Sequence, residues 1–167
     1  MIPGLEVFKE YFRDYKEHYV LIGGSALDMI LEDTNVAARV TKDLDIVFIA
    51  EAITPDFGRQ FWKFINDGGY KNMSKSGGKS QYFRFECPEE QDYPFMIEIL
   101  SRDENVLYAD NQRFAKIPIS DSIMSLSAIL LDEEYYSLII KGKIVRDDIV
   151  ILSPQYLIPL KLKAWLN

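Results

Sequence analysis

Three acidic residues and one glycine-rich turn in this chain have the types and spacing of a site for phosphate and a hard cation. Asp43 and Asp45 stand two apart at the head of Asp43-Leu44-Asp45-Ile46-Val47-Phe48-Ile49. On a strand that spacing puts both side chains on one face, with Cα atoms roughly 6.5 Å apart. Two ionised carboxylates so placed repel unless a cation lies between them. Hard oxygen donors suit Mg²⁺, which completes its shell with water and phosphate oxygens. Alone, Asp-x-Asp is as readily the exposed start of a strand. The apolar run that follows places it at the mouth of a buried strand, where a charged pair needs a reason.

Gly23-Gly24-Ser25 leads from one apolar run into a helical pattern. Two glycines let backbone approach a ligand closely, a helix N-terminus favours negative charge, and Ser25 could touch a terminal phosphate. A tight turn with an ordinary cap explains the same residues equally well. Glu98 is an acid inside the apolar run Phe95-Met96-Ile97-Glu98-Ile99-Leu100. Buried carboxylates are rare unless paired or metal-bound. A salt bridge to Arg84 is the plainest account of Glu98. Beside a metal pair it could instead be a general base on an attacking hydroxyl, a role for which Glu86 competes.

Other patterns carry less. Ser76-Gly77-Gly78-Lys79-Ser80 ends like a phosphate-binding loop, but Met73 stands where its first glycine belongs and a strand pattern follows, so it is rejected. It reads as a hairpin tip whose Lys71, Lys75 and Lys79 are solvated, or meet an acceptor's phosphates. His18 has no nucleophile in a recognisable elbow nearby, which leaves a hydrolase triad unsupported.

These residues must be positioned by elements that the pattern also predicts. Leu5, Phe8, Phe12 and Tyr15 mark a helix over 5–17, and Tyr19–Ile22 a buried strand. Ser25 is placed as an N-cap with Asp28 as its capping-box partner, opening a second helix. A loop over 33–42 precedes the strand Leu44–Ile49. Thr54-Pro55 opens a helix that Asp67-Gly68-Gly69 stops. Strands are expected at 80–87 and 94–101, joined by an acidic turn at 88–93, with a short one at 114–119. Further strands are expected at 123–131, 135–140 and 144–152, with Gly142 and Asp147-Asp148 as turn signals. Ser153-Pro154 begins a last helix, in which Pro159 either kinks the helix or truly starts it. The class is α/β shading into α+β, with 1–167 one domain and 153–167 the start of a C-terminal helical portion.

At 167 residues, 48% hydrophobic and 27% charged, the composition is that of an ordinary globular domain. No apolar run has the length of a membrane span, and the charged N-terminus does not read as a signal peptide. One cysteine, Cys87, excludes an internal disulfide, and one histidine excludes a Cys/His zinc site. A reducing cytoplasm is expected. A net charge of −7 argues against a surface made for duplex DNA, without excluding nucleotide or RNA at a small patch.

Gly24-Ser25, Asp43-x-Asp45 and an acid on a later strand together resemble the DNA polymerase β-like nucleotidyltransferase superfamily. Ile22-Gly23-Gly24-Ser25-Ala26-Leu27, the run Arg39-x-Thr41-x-Asp43-x-Asp45 and Leu160-Lys161-Leu162-Lys163-Ala164 look like its AbiEii-type branch, many of whose members are toxins of toxin–antitoxin pairs. The stretch between Ser25 and Asp43 is longer than the superfamily usually has, an insert that this branch tolerates. The resemblance implies the polymerase β-like fold, a mixed sheet flanked by helices. It also implies transfer of a nucleoside monophosphate from an NTP to an acceptor hydroxyl, with Mg²⁺ or Mn²⁺ as cofactor. By position, Gly23, Gly24 and Ser25 would hold the triphosphate, Asp43 and Asp45 the metal, and Glu98 would be the third carboxylate. Lys161 would contact phosphate from the last helix, although Lys163 is not separable from it. RNA (tRNA in particular), protein and small-molecule hydroxyls all serve as acceptors in the superfamily. The toxin likeness favours tRNA or protein and implies an antitoxin partner. The alternative is a catalytically inert module that keeps the fold for binding or regulation.

Overall fold

Strand β1, Tyr19–Ile22, is buried at all four positions, which follows from its place inside an eight-stranded mixed sheet. The computed structural model describes residues 2–32, 34, 36, 41–75, 81–102, 115–116 and 132–166, with the backbone alone at 81–82, 115–116, 161 and 163–166. Around β1 the chain runs α1 (Leu5–Phe12), β1, α2 (Gly23–Leu31), β2 (Asp43–Phe48), α3 (Pro55–Asp67), β3 (Asn72–Lys75), β4 (Gln81–Glu86), β5 (Met96–Ser101) and β6 (Ala115–Lys116). It closes with α4 (Glu133–Lys141), β7 (Lys143–Arg146), β8 (Ile149–Leu152) and α5 (Pro154–Leu166). The sheet order is β6-β3-β4-β5-β2-β1-β8-β7. The fold is α/β, a mixed sheet flanked by helices.

Alternation along the central strands separates two faces. Leu44, Ile46 and Phe48 of β2 and Phe83 and Phe85 of β4 point to one face and are almost wholly buried. There α1 and α3 cover them with aromatic side chains at helical spacing. Phe12 lies 5.4 Å from Phe64, Phe48 lies 5.3 Å from Phe61, and Phe61 lies 5.6 Å from Phe85, ring centre to ring centre. The opposite face carries Asp43, Asp45 and Val47, with α2 packed on β1 and β2 and α5 packed beside α2.

Several element boundaries differ from expectation for local reasons. The first helix ends at Phe12, and the chain then makes successive turns, with the Tyr15 N–H on the Phe12 carbonyl and the His18 N–H on the Tyr15 carbonyl. Those turns bring His18 flat against Phe57, 4.9 Å between ring centres, so the one histidine is a packing residue. Ser25 is not the N-cap of α2. The helix starts at Gly23 with Ile22 as cap, and the Ser25 hydroxyl donates back to the Ile22 carbonyl at 3.0 Å.

Residues 135–140 form helix rather than strand. Asp132 caps α4 by accepting from the Glu134 and Tyr135 N–H groups, acids fill the first turn, and Lys141 sits in the last. Those terminal signals outweigh the β preference of the tyrosines and isoleucines. The stretch 144–152 is two strands, folded back at Asp147-Asp148, whose φ values of 47° and 66° fit a tight hairpin turn. Strand β3 was not anticipated. The strand expected at 123–131 lies outside the described residues, as does all but 115–116 of the one at 114–119. Helix α3 matches its capping signals, with the Thr54 hydroxyl accepting from the Phe57 N–H and Pro55 in the first turn. The last helix starts at Pro154 and holds Pro159 inside it, while the Ser153 hydroxyl makes no hydrogen bond among the described residues.

Phe12 is the hinge of the aromatic layer, touching rings from α1, β1 and α3. Phe12→Ala is expected to cost about 3–5 kcal/mol, read as a lowered midpoint in urea unfolding with little change in slope.

Candidate functional site

The site is built by strand register. Strand β2 runs parallel to β5, with Asp43 opposite Met96 and Asp45 opposite Glu98. Strand β4 runs antiparallel to β5, with Arg84 opposite Glu98 and Glu86 opposite Met96. Strand β1 pairs with the other edge of β2, setting Ile22 opposite Asp45. Side chains in register share a face, so one row across the sheet reads Arg84, Glu98, Asp45. The row beside it reads Glu86, Met96, Asp43. Immediately beyond Ile22 the chain turns into α2.

That turn meets Asp45. Gly23 has φ +67°, and a Cβ built on it would lie 1.8 Å from the Asp45 carboxylate, so only glycine fits. The Asp45 carboxylate thus lies against the first residues of α2, where the positive end of the helix favours a negative charge. Gly24 in turn has the Thr41 side chain 3.2 Å from where its Cβ would be, and Thr41 Oγ1 accepts from the Asp43 N–H at 3.4 Å.

Glu98 sits between a base and an acid. Its Oε1 accepts from Arg84 Nε at 2.9 Å and from Nη2 at 2.7 Å, and Arg84 Nε is also 3.6 Å from Glu86. Glu98 stands opposite Asp45 in the β2–β5 register. Burial, then the Glu98 charge and the hydrogen bond to Glu98, push Asp45 up to about 7, against the pull of the Gly24 N–H. Asp43 is raised as well, by burial first and then by Glu98, with Arg84 pulling the other way.

The structure thus brings Asp43, Asp45 and Glu98 to one face of adjacent strands, with Gly23 and Gly24 at their edge. Glu98, not Glu86, is the acid in register with Asp45 on the neighbouring strand. Ser25 is fully buried with its hydroxyl turned inward, so it does not present itself to a ligand. Lys161 lies on α5, but its side chain and that of Lys163 lie outside the described residues, as do Arg39 and Lys79. Arg84 is a member of the site that sequence reasoning treated only as a partner for Glu98. Its signal is a charge set between Phe83 and Phe85 on a strand.

Asp43, Asp45 and Glu98 fit a hard divalent cation in donor type and in the face they share. Their side chains do not converge: no group of three or more acidic, histidine or cysteine side chains forms a metal cage among the described residues. A separate groove of about 350 Å³ lies between α1 and α2, lined in part by Leu5, Lys9, Asp28 and Met29, and contains none of these acids. Comparison of the chain with protein-family models, with curated proteins and with solved structures found no match.

The raised Asp45 proton affinity has a stability cost of definite sign. The unfolded chain releases this proton near 3.8 and the folded chain near 7, so the folded form loses stability across that interval as pH rises and the loss is complete above it. Asp45→Asn removes the charge and keeps the shape. In metal-free buffer at pH 8 the variant should be more stable than the parent by roughly 1–2 kcal/mol after discounting for solvent at the site mouth, and the gain should vanish near pH 4. Urea unfolding at the two pH values measures both.

Proposed function

We propose that the chain is a metal-dependent nucleotidyltransferase, moving a nucleoside monophosphate from an NTP to an acceptor hydroxyl with pyrophosphate leaving. The observation that carries the reading is the placement of Asp45 and Glu98 in register on neighbouring strands, with Asp43 on the same face and the start of α2 against Asp45. Asp43 and Asp45 are the residues that would hold Mg²⁺ or Mn²⁺, and the bound ion would offset the charge of the phosphates. Glu98 is the base: it takes the acceptor's proton as the acceptor oxygen bonds to the α-phosphorus. The bond from that phosphorus to the pyrophosphate oxygen breaks in line. Glycines 23 and 24 keep the approach to the acids clear of side chains, and the N-terminus of α2 favours negative charge there. A lysine of α5, Lys161 or Lys163, is assigned to phosphate.

The acceptor class rests on the likeness to AbiEii-type toxins, which favours a tRNA end or a protein hydroxyl and an antitoxin as partner. A cytoplasmic setting belongs to the same proposal, and no described helix is long and apolar enough to cross a membrane. One observation favours a second reading, an inert module that binds nucleotide without turning it over. Glu98 is engaged by Arg84, and the three acids do not converge on one point.

Incubation with α-labelled NTP, Mg²⁺ or Mn²⁺ and a mixture of tRNA and protein acceptors decides between them. Transfer should fall at least about 100-fold in Asp43→Asn and in Asp45→Asn, with Glu98→Gln similarly reduced. Undiminished transfer in both aspartate variants overturns the reading. Metal-dependent NTP binding with no pyrophosphate released supports the inert module.

A further inference from the structure

The groove between α1 and α2 encloses about 350 Å³, the size of a site for one small molecule. Ile2, Leu5, Met29 and Ile149 line it, and all four are buried, so its floor is apolar. Among the described residues that line it, Glu6, Asp28, Glu32 and Asp147 are acidic and only Lys9 is basic. Lys9 stands 3.6 Å from Glu6 and answers that one charge. Asp28, Glu32 and Asp147 have no ion pair with any described residue. Two of these acids are unfavourably placed on their own helix. Asp28 and Glu32 are four apart, so they share a face of α2 and repel. They also sit at its C-terminus, Asp28 in the last turn and Glu32 as the C-cap, where the helix dipole favours a cation. No basic residue stands in that turn. Asp147 adds a third charge from the turn between β7 and β8. Negative charge is thus gathered over an apolar floor, an arrangement that opposes folding until a cation fills it.

We propose that this groove binds an aliphatic diamine or polyamine in its ammonium form. Methylene segments cover the apolar floor, and the ammonium ends meet Asp28 and Glu32 of α2 and Asp147 of the β7–β8 turn. A bare metal ion would leave the floor uncovered, and a neutral apolar molecule would leave the acids unanswered. The enclosed volume suits one small molecule rather than a helix or strand of another protein. The inference is independent of the nucleotidyltransferase reading, because none of Asp43, Asp45 and Glu98 lines the groove.

The test is titration of the full chain with octamethylenediamine at neutral pH, followed by calorimetry and by backbone amide resonances. Binding should saturate at one ligand per chain, with the shifted amides clustered around Leu5, Asp28, Met29 and Ile149. The double variant Asp28→Asn, Glu32→Gln should bind at least about tenfold more weakly than the parent. Asp56→Asn with Glu134→Gln, which removes two exposed acids from other helices, should change the affinity by less than about twofold. Without diamine the groove variant should unfold at a higher urea concentration than the parent, which separates lost binding from lost folding. The diamine of equal length with two ether oxygens in its chain keeps both charges, and should bind about tenfold more weakly because its chain gains less from the apolar floor. Equal weakening by the two pairs of substitutions, or shifts spread over the whole surface, shows attraction by the net charge of −7 alone and overturns the inference. So does an ether analogue that binds as well as the diamine, or the absence of saturable binding.

Discussion

The carboxylate of Asp45 fills the space that any side chain at position 23 would need, and much of the site follows from that one contact. Gly23 must turn left-handed for α2 to begin where β1 ends. The first N–H groups of a helix lack partners within it, and the Asp45 carboxylate is held close to them across the β1–β2 pairing. The same contact is compatible with Ile22 standing opposite Asp45, which in turn stands opposite Glu98 on the next strand. A glycine turn at a helix start and an aspartate at a strand's mouth are usually considered as separate features. Here they are mechanically one.

That arrangement opposes stability on one face of the sheet and is sustained by the other. The row Arg84, Glu98, Asp45 concentrates charge where solvent is restricted, and its net excess is negative. Behind it, Phe8, Phe12, Phe48, Phe57, Phe61, Phe64 and Phe85 are buried almost completely. Burial of large rings contributes on the order of 1.5–3 kcal/mol each, enough to hold the strands in register against acid–acid repulsion. Functional sites often carry such local costs, because the group a ligand would satisfy is left unsatisfied in its absence.

What could be read from the residues was whatever depended on neighbours in sequence. The run from β1 through α2 to β2 was legible because glycines, an apolar run and an alternating acid pair are local signals. So was α3, whose cap, proline and terminal glycines stand at its two ends. Residues 135–140 misled because Tyr-Tyr and Ile-Ile favour strands, while the deciding cap, Asp132, lies outside the apolar stretch. Ser25 misled because a left-handed Gly23 moved the start of the helix three residues earlier. Within the site, the common face of Asp43 and Asp45 followed from period two. The pairing of Asp45 with Glu98 did not, since it depends on a parallel register between strands far apart in the chain.

The sheet order has a consequence for the growing chain. Strand β1 pairs on one side with β2, a near neighbour in sequence, and on the other with β8, residues 149–152. Closing so long a loop is entropically slow compared with forming the antiparallel β1–β2 pair. During synthesis one edge of a wholly apolar central strand is therefore bare until residues 149–152 have emerged. A bare apolar edge is a template for pairing with the wrong strand. In the finished fold the outermost strand on that side, β7, begins and ends with a base, Lys143 and Arg146, a pattern that discourages further growth of the sheet.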